Sequence, residues 1–186
     1  MKKLVLLCLL AMCALNVQAR DSLISGKNTT HGGFGGPQFG ITQINGDTEF
    51  VAGGGGAWLV NSRFFLGGRG YGVGSSMKDA GNLDFGYGGL WFGYIMRPAS
   101  VVNFSADVTL GAGGLADGSD TTHHNHSVSE FFVAEPAVNM RLNLAEFVSA
   151  EFGVSYRMVQ GSSHAVLDDE ALSGLGAHLR VEFGKF

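Results

Sequence analysis

The sequence predicts an all-β chain, a closed up-and-down antiparallel β-barrel of eight strands. Three observations lead there. Apolar and polar residues alternate with period two through most of the chain beyond residue 32. Short connections between those runs alternate with long polar ones. No stretch after residue 19 is long and apolar enough for a membrane helix, so a membrane-inserted form needs a closed barrel, in which every backbone group is paired internally.

Residues 1–19 read as a cleaved signal peptide. Lys2 and Lys3 give a positive start, Leu4 to Leu15 an apolar run too short to span a bilayer, and Val17-Gln18-Ala19 small residues at the cleavage positions. Cys13 follows Leu10-Ala11-Met12, and Met12 is larger than the small residue a lipidation site wants before its cysteine. Residues 20–31 form an N-terminal extension, and 32–186 the barrel domain.

Strands are expected at 33–44, 48–60, 63–75, 83–96, 101–113, 129–143, 148–160 and 172–185. Asn45-Gly46-Asp47, Asn61-Ser62, Arg97 to Ser100 and Leu144 to Phe147 are short connections. Ser76 to Asn82, Gly114 to Val128 and Gly161 to Ala171 are long and polar. With the first connection as an exception, this is the short-turn, long-loop alternation of membrane barrels. Strand five sets Val102, Phe104, Ala106, Val108 and Leu110 against Asn103, Ser105, Asp107 and Thr109. Strand seven sets Val148, Ala150, Phe152, Val154, Tyr156 and Met158 against Ser149, Glu151, Ser155 and Arg157, and strand eight sets Leu179, Val181 and Phe183 against His178, Arg180 and Glu182.

One hairpin register for strands six and seven places Glu135 opposite Arg157 and Arg141 opposite Glu151 on the polar face. The same register puts Met140 opposite Phe152 and Val138 opposite Val154 on the apolar face. These charge pairs are expected in a narrow lumen, where an unpaired charge is costly. Two elements resist the pattern. If Trp58 and Phe65 share the outer face, Arg69 lies there too, unless strand three takes the opposite phase; and Pro136 removes a ladder donor in mid-strand six. Glycine pairs through the first half suit the strong coiling of a small barrel and give bulky aromatics space inside it. Trp58, Phe64, Phe65, Trp91, Tyr94, Phe104, Phe147 and Phe186 gather near the short-turn end and are expected to form an interfacial girdle.

Cleavage after Ala19 removes both cysteines, Cys8 and Cys13, which excludes disulfides and thiolate chemistry from the mature chain. It also removes Lys2 and Lys3 and no acid, taking the formal charge from −4 to −6. An acidic exported chain is a poor nucleic-acid binder. His123, His124 and His126, with Asp117 and Asp120 upstream and His164 in the next long loop, form a candidate metal site, though without the spacing of a recognised rigid one. Ser162, Ser163, His164, Asp168 and Asp169, and separately His126, Ser129 and Glu130, hold the residue types of a hydrolase but match no motif. No resident cofactor is expected.

With its glycine-rich segments, Glu135-Pro136 and the ending Phe183-Gly-Lys-Phe186, the chain resembles the small eight-stranded outer-membrane barrels of Gram-negative bacteria. The resemblance implies export, insertion by the barrel-assembly machinery, contact with outer-membrane lipid, and long loops exposed to a surface ligand or divalent cation. Such barrels include adhesins, anchors, narrow pores and lipid-modifying enzymes, and the leading expectation for this chain is a structural or surface-interaction role, with no catalysis. A lipid A-modifying enzyme of the same membrane is one alternative. The other is a soluble periplasmic or secreted lipocalin-like barrel binding a small apolar ligand, which would turn Val102, Phe104, Val108, Phe152 and Val154 inward.

Overall fold

The computed structural model describes residues 29–73, 83–117, 129–162 and 167–186. Its strands are β1 (His31–Ile44), β2 (Asp47–Val60), β3 (Phe64–Val73), β4 (Leu83–Met96), β5 (Val102–Asp117), β6 (Ser129–Ala145), β7 (Val148–Gln160) and β8 (Gly174–Lys185). Each strand pairs antiparallel with the next, and β1 pairs with β8, so the sheet closes without an edge. The expected segment 1–19 and residues 20–28 of the expected extension 20–31 lie outside the described residues, and the last residue of that extension, His31, opens β1.

The turns explain the order. Asn45 and Gly46 have φ of 53° and 86°, the doubly left-handed pair that matches hairpin twist, and only glycine adopts the second value without strain. Asn61 and Ser62 repeat it at φ 54°, closed by Arg63 N–H donating to Val60 O at 3.1 Å. β5 runs four residues further than expected because Gly113 and Gly114 stay in register with β4. One short helix, α1 (Asp169–Leu172), lies before β8; the Asp168 carboxylate caps it by accepting from Ala171 N at 2.9 Å.

The apolar face points outward. Phe104 and Val154 are 53% and 54% exposed, Val102 and Phe152 are exposed too, and Val108 lies on the same outer face. The inward turn that a soluble lipocalin-like barrel requires is not made. β3 takes the phase that buries Phe65, Arg69 and Tyr71 while Leu66 faces out. Pro136 faces outward, and its neighbours keep one register on either side.

Half of the aromatics near the short-turn end stand where a girdle requires: Trp58, Phe64, Phe104 and Phe147 are exposed. Phe65, Trp91 and Phe186 instead turn inward and pack with Phe34, Leu59 and Ile95. An inner glycine makes room for this: a Cβ on Gly93 would meet both Phe65 and Asp107, just as one on Gly113 would strike the Phe131 ring at the long-loop end.

Candidate functional site

The lumen is filled. Its middle is a belt of charge from alternate positions of five strands. Arg69, Arg141, Arg157 and Arg180 are buried there with Asp107, Glu135, Glu151 and Glu182, an even balance of four cations and four anions among the described residues. Arg180 is the hub. Its Nη1 meets Glu151 Oε1 at 2.6 Å and Glu182 Oε1 at 3.3 Å, and its Nε donates to Gln38 Oε1 at 2.8 Å. Glu182 Oε2 then meets Arg141 Nη2 at 3.0 Å. On the other side Ser105 donates to Glu151 at 3.0 Å, Asn139 donates to Ser105 at 3.0 Å and to Asp107 at 2.7 Å, and Asp107 holds Arg69 at 3.0 Å.

Arginine suits this belt because its flat guanidinium also stacks on rings. Arg180 lies over Trp91 at 4.4 Å, Arg69 over Trp91 at 5.4 Å, Arg141 over Phe186 at 4.2 Å and Arg157 over Phe85 at 4.9 Å.

All four residues expected in the lumen are buried in it, and the β6–β7 register sets Arg141 against Glu151. The partners differ from those expected. Arg141 bonds Glu182, and Glu151 bonds Arg180. Glu135 and Arg157 do not pair with each other, and neither meets another charged side chain among the described residues within ion-pair distance. Glu135 accepts from Tyr87 Oη at 2.8 Å and Ser155 Oγ at 2.6 Å. Arg157 donates to Leu172 O at 2.8 Å, Thr42 Oγ1 at 3.0 Å and Gln43 O at 2.9 Å. Arg69, Asp107, Arg180 and Glu182 were the missed members. The alternation of β5 and β8 placed three of them on the polar face, and the phase of β3 decided Arg69.

Both lumen ends are closed by chain. At the short-turn end Phe186 packs on Phe34 at 5.7 Å and under Arg141. At the long-loop end Leu167 and Leu172 are wholly buried among Ile44, Phe85, Leu115, Phe131, Val133 and Val159. Arg157, Asn45 N–H to Ala171 O at 2.7 Å and Val159 N–H to Ser173 Oγ at 3.0 Å hold α1 in place.

The rim at the long-loop end is acidic. Asp47, Asp84, Glu130, Asp168 and Glu170 are exposed there, with no Lys or Arg exposed beside them among the described residues. Arg63, Arg97 and Lys185 are exposed at the short-turn end. His123, His124, His126 and His164 lie outside the described residues, as do Asp120 and Ser163. The Asp168 and Asp169 of the candidate hydrolase set are engaged structurally: Asp168 caps α1, and Asp169 accepts from Ser162 N at 2.8 Å.

No family model and no curated protein matches the chain. Solved structures do. Neisserial surface protein A superposes with a TM-score of 0.60 at 11% identity, over 86% of this chain and 100% of that one. Ail, the attachment invasion locus protein of Yersinia pestis, in complex with the heparin analogue sucrose octasulfate, gives 0.53 at 12% identity, over 83% of this chain and 97% of that one. At such identities the likeness is one of fold, the closed eight-stranded barrel of small outer-membrane proteins.

Proposed function

We propose that the chain is an integral outer-membrane protein that acts through its long-loop rim as a structural or surface-interaction protein, without conducting solutes. The observation that carries this is the inside-out distribution of polarity. The outer wall is apolar, with exposed Phe39, Leu90, Phe104, Val138 and Phe152, and the eight buried charges among the described residues lie inside. A soluble barrel would place these the other way round. Lipid is the solvent that suits such a wall. A lumen packed with hydrogen-bonded charges and stoppered at both ends suits an anchor rather than a pore.

The rim sets the chemistry of the partner. A sulfated sugar is the ligand in the Ail structure. Here the exposed carboxylates Asp47, Asp84, Glu130, Asp168 and Glu170 would repel a polyanion, and they favour a cationic or cation-bridged partner. The basic Arg63, Arg97 and Lys185 at the opposite end suit the anionic phospholipid of the inner leaflet.

The test is fractionation followed by gel electrophoresis with and without boiling. Retention in the detergent-requiring envelope fraction, with a band that moves on boiling, is the expected result. Recovery in the soluble periplasmic fraction would overturn the proposal.

A further inference from the structure

We propose that the lumen binds one water molecule between Tyr71, Thr42, Gln38, Glu135 and His178, and that this water joins two otherwise separate halves of the interior hydrogen-bond system. The first half is the Arg180 belt, which reaches Gln38 directly and His178 through Asn139 Oδ1 at 3.0 Å. The second is Tyr87–Glu135–Ser155; Thr42, which Arg157 holds, lines the cavity beside it. The two halves meet at a cavity of about 10 Å³ whose lining includes Gln38 and His178 of the first and Tyr87, Glu135 and Ser155 of the second, with Thr42. That volume is close to what a single water needs.

Tyr71 supplies the independent observation. It lines the same cavity, and its hydroxyl is buried with no hydrogen-bond partner among the described residues. A buried hydroxyl left unsatisfied is costly, so something there accepts from it or donates to it. Each Glu135 oxygen already accepts one hydrogen bond and keeps further lone pairs. A water accepts from Tyr71 and donates to acceptors of this kind.

Charge decides against an ion. The lumen is already balanced at four cations and four anions among the described residues. A cation would sit in a wall held by Arg157 and Arg180, and an anion would face Glu135. Space points the same way. A Cβ on Gly176, which also lines the cavity, would stand 3.0 Å from Ser155 Oγ and 3.6 Å from Thr42 Oγ1, so the bare glycine leaves room for the water.

The experiment pairs Tyr71→Phe with a crystal structure that resolves ordered solvent. With the water bound, Tyr71→Phe removes a satisfied hydroxyl, and the urea midpoint of the refolded barrel falls. In a dry cavity the same variant removes an unsatisfied hydroxyl and the midpoint rises, which would overturn the proposal. The wild-type density should show one peak within hydrogen-bond reach of Tyr71 Oη, and Gly176→Ala should abolish it. Absence of that peak in the wild type overturns the proposal directly. A wild-type midpoint that shifts when sodium replaces choline at constant ionic strength would overturn it in favour of a cation.

Discussion

Arg141 stands opposite Glu151 across the β6–β7 pair, yet its guanidinium bonds Glu182 at 3.0 Å, while Glu151 bonds Arg180 at 2.6 Å. A double-mutant cycle should therefore find strong coupling for Arg180 with Glu151 and for Arg141 with Glu182, and much weaker coupling for Arg141 with Glu151. Removing one partner strands a buried charge, so Glu151→Ala should lower stability by about 3–5 kcal/mol. Equal coupling in all three cycles would mean that the register, rather than the reach of the side chains, sets the pairs.

That distinction marks how far the sequence could be read. Alternation in β5, β7 and β8 assigns Asp107, Glu151, Arg157, Arg180 and Glu182 to one face, and closure makes that face the lumen. Register fixes which Cα atoms oppose one another, but a guanidinium reaches several ångströms beyond its own strand. In a closed lumen Arg141 can therefore choose Glu182, two strands away. The inward turn of Phe65, Trp91 and Phe186 was hidden for a related reason. Aromatic residues suit both the interfacial girdle and a glycine-lined interior, and the phase of β3 and β4 decides between them. α1 stands where a loop and the first residue of strand eight were expected: Asp168 caps it and Asp169 and Glu170 make an acidic first turn, but four residues are too few to give a period.

Arg157→Ala should free the stopper at the long-loop end. The substitution deprives Leu172 O, Gln43 O and Thr42 Oγ1 of one charged donor. A hydrogen bond to a charged group contributes about 1.5–3 kcal/mol, so local opening should speed about ten- to a hundredfold. Hydrogen exchange should report this at the amides of Asn45 and Val159, which bond Ala171 and Ser173. The amide of Gly184, bonded to Phe147 at the opposite end, serves as the control and should stay unchanged. Acceleration at all three sites would mean global destabilisation instead of a released stopper.

Glycine on the inner wall and glycine on the outer wall should respond oppositely to alanine. On Gly113 the new methyl would collide with the Phe131 ring, and overpacking of this kind costs about 1–3 kcal/mol. Phe131→Leu in the same chain should recover part of the loss. On Gly68, which is exposed, the nearest atom to a new Cβ is Gly89 O at an ordinary 3.6 Å. Gly68→Ala should raise stability by about 0.4–1 kcal/mol by narrowing the unfolded ensemble. Urea titration of the refolded barrel checks both, and a loss at Gly68 equal to that at Gly113 would contradict the assignment of the two faces.

Charge placed on the outer wall separates lipid from water as the surrounding medium. Val138 is 61% exposed in the middle of β6 and faces Val154 across the pair. Leu144 is 64% exposed on the same strand, at its short-turn end. In an aqueous setting the two sites are equivalent exposed positions, and Val138→Arg and Leu144→Arg should each stay within about 0.5 kcal/mol of the wild type. In a bilayer the sites differ by depth. Arginine at the midplane costs about 2–4 kcal/mol, whereas near the interface it costs about 0–1 kcal/mol, because the guanidinium snorkels to the headgroups. The membrane reading therefore predicts a gradient, with Val138→Arg clearly destabilised and Leu144→Arg nearly neutral, for folding into phospholipid vesicles followed by urea titration. Two small and equal effects would remove lipid as the medium and take the assignment of the rim as a cell-surface feature with it.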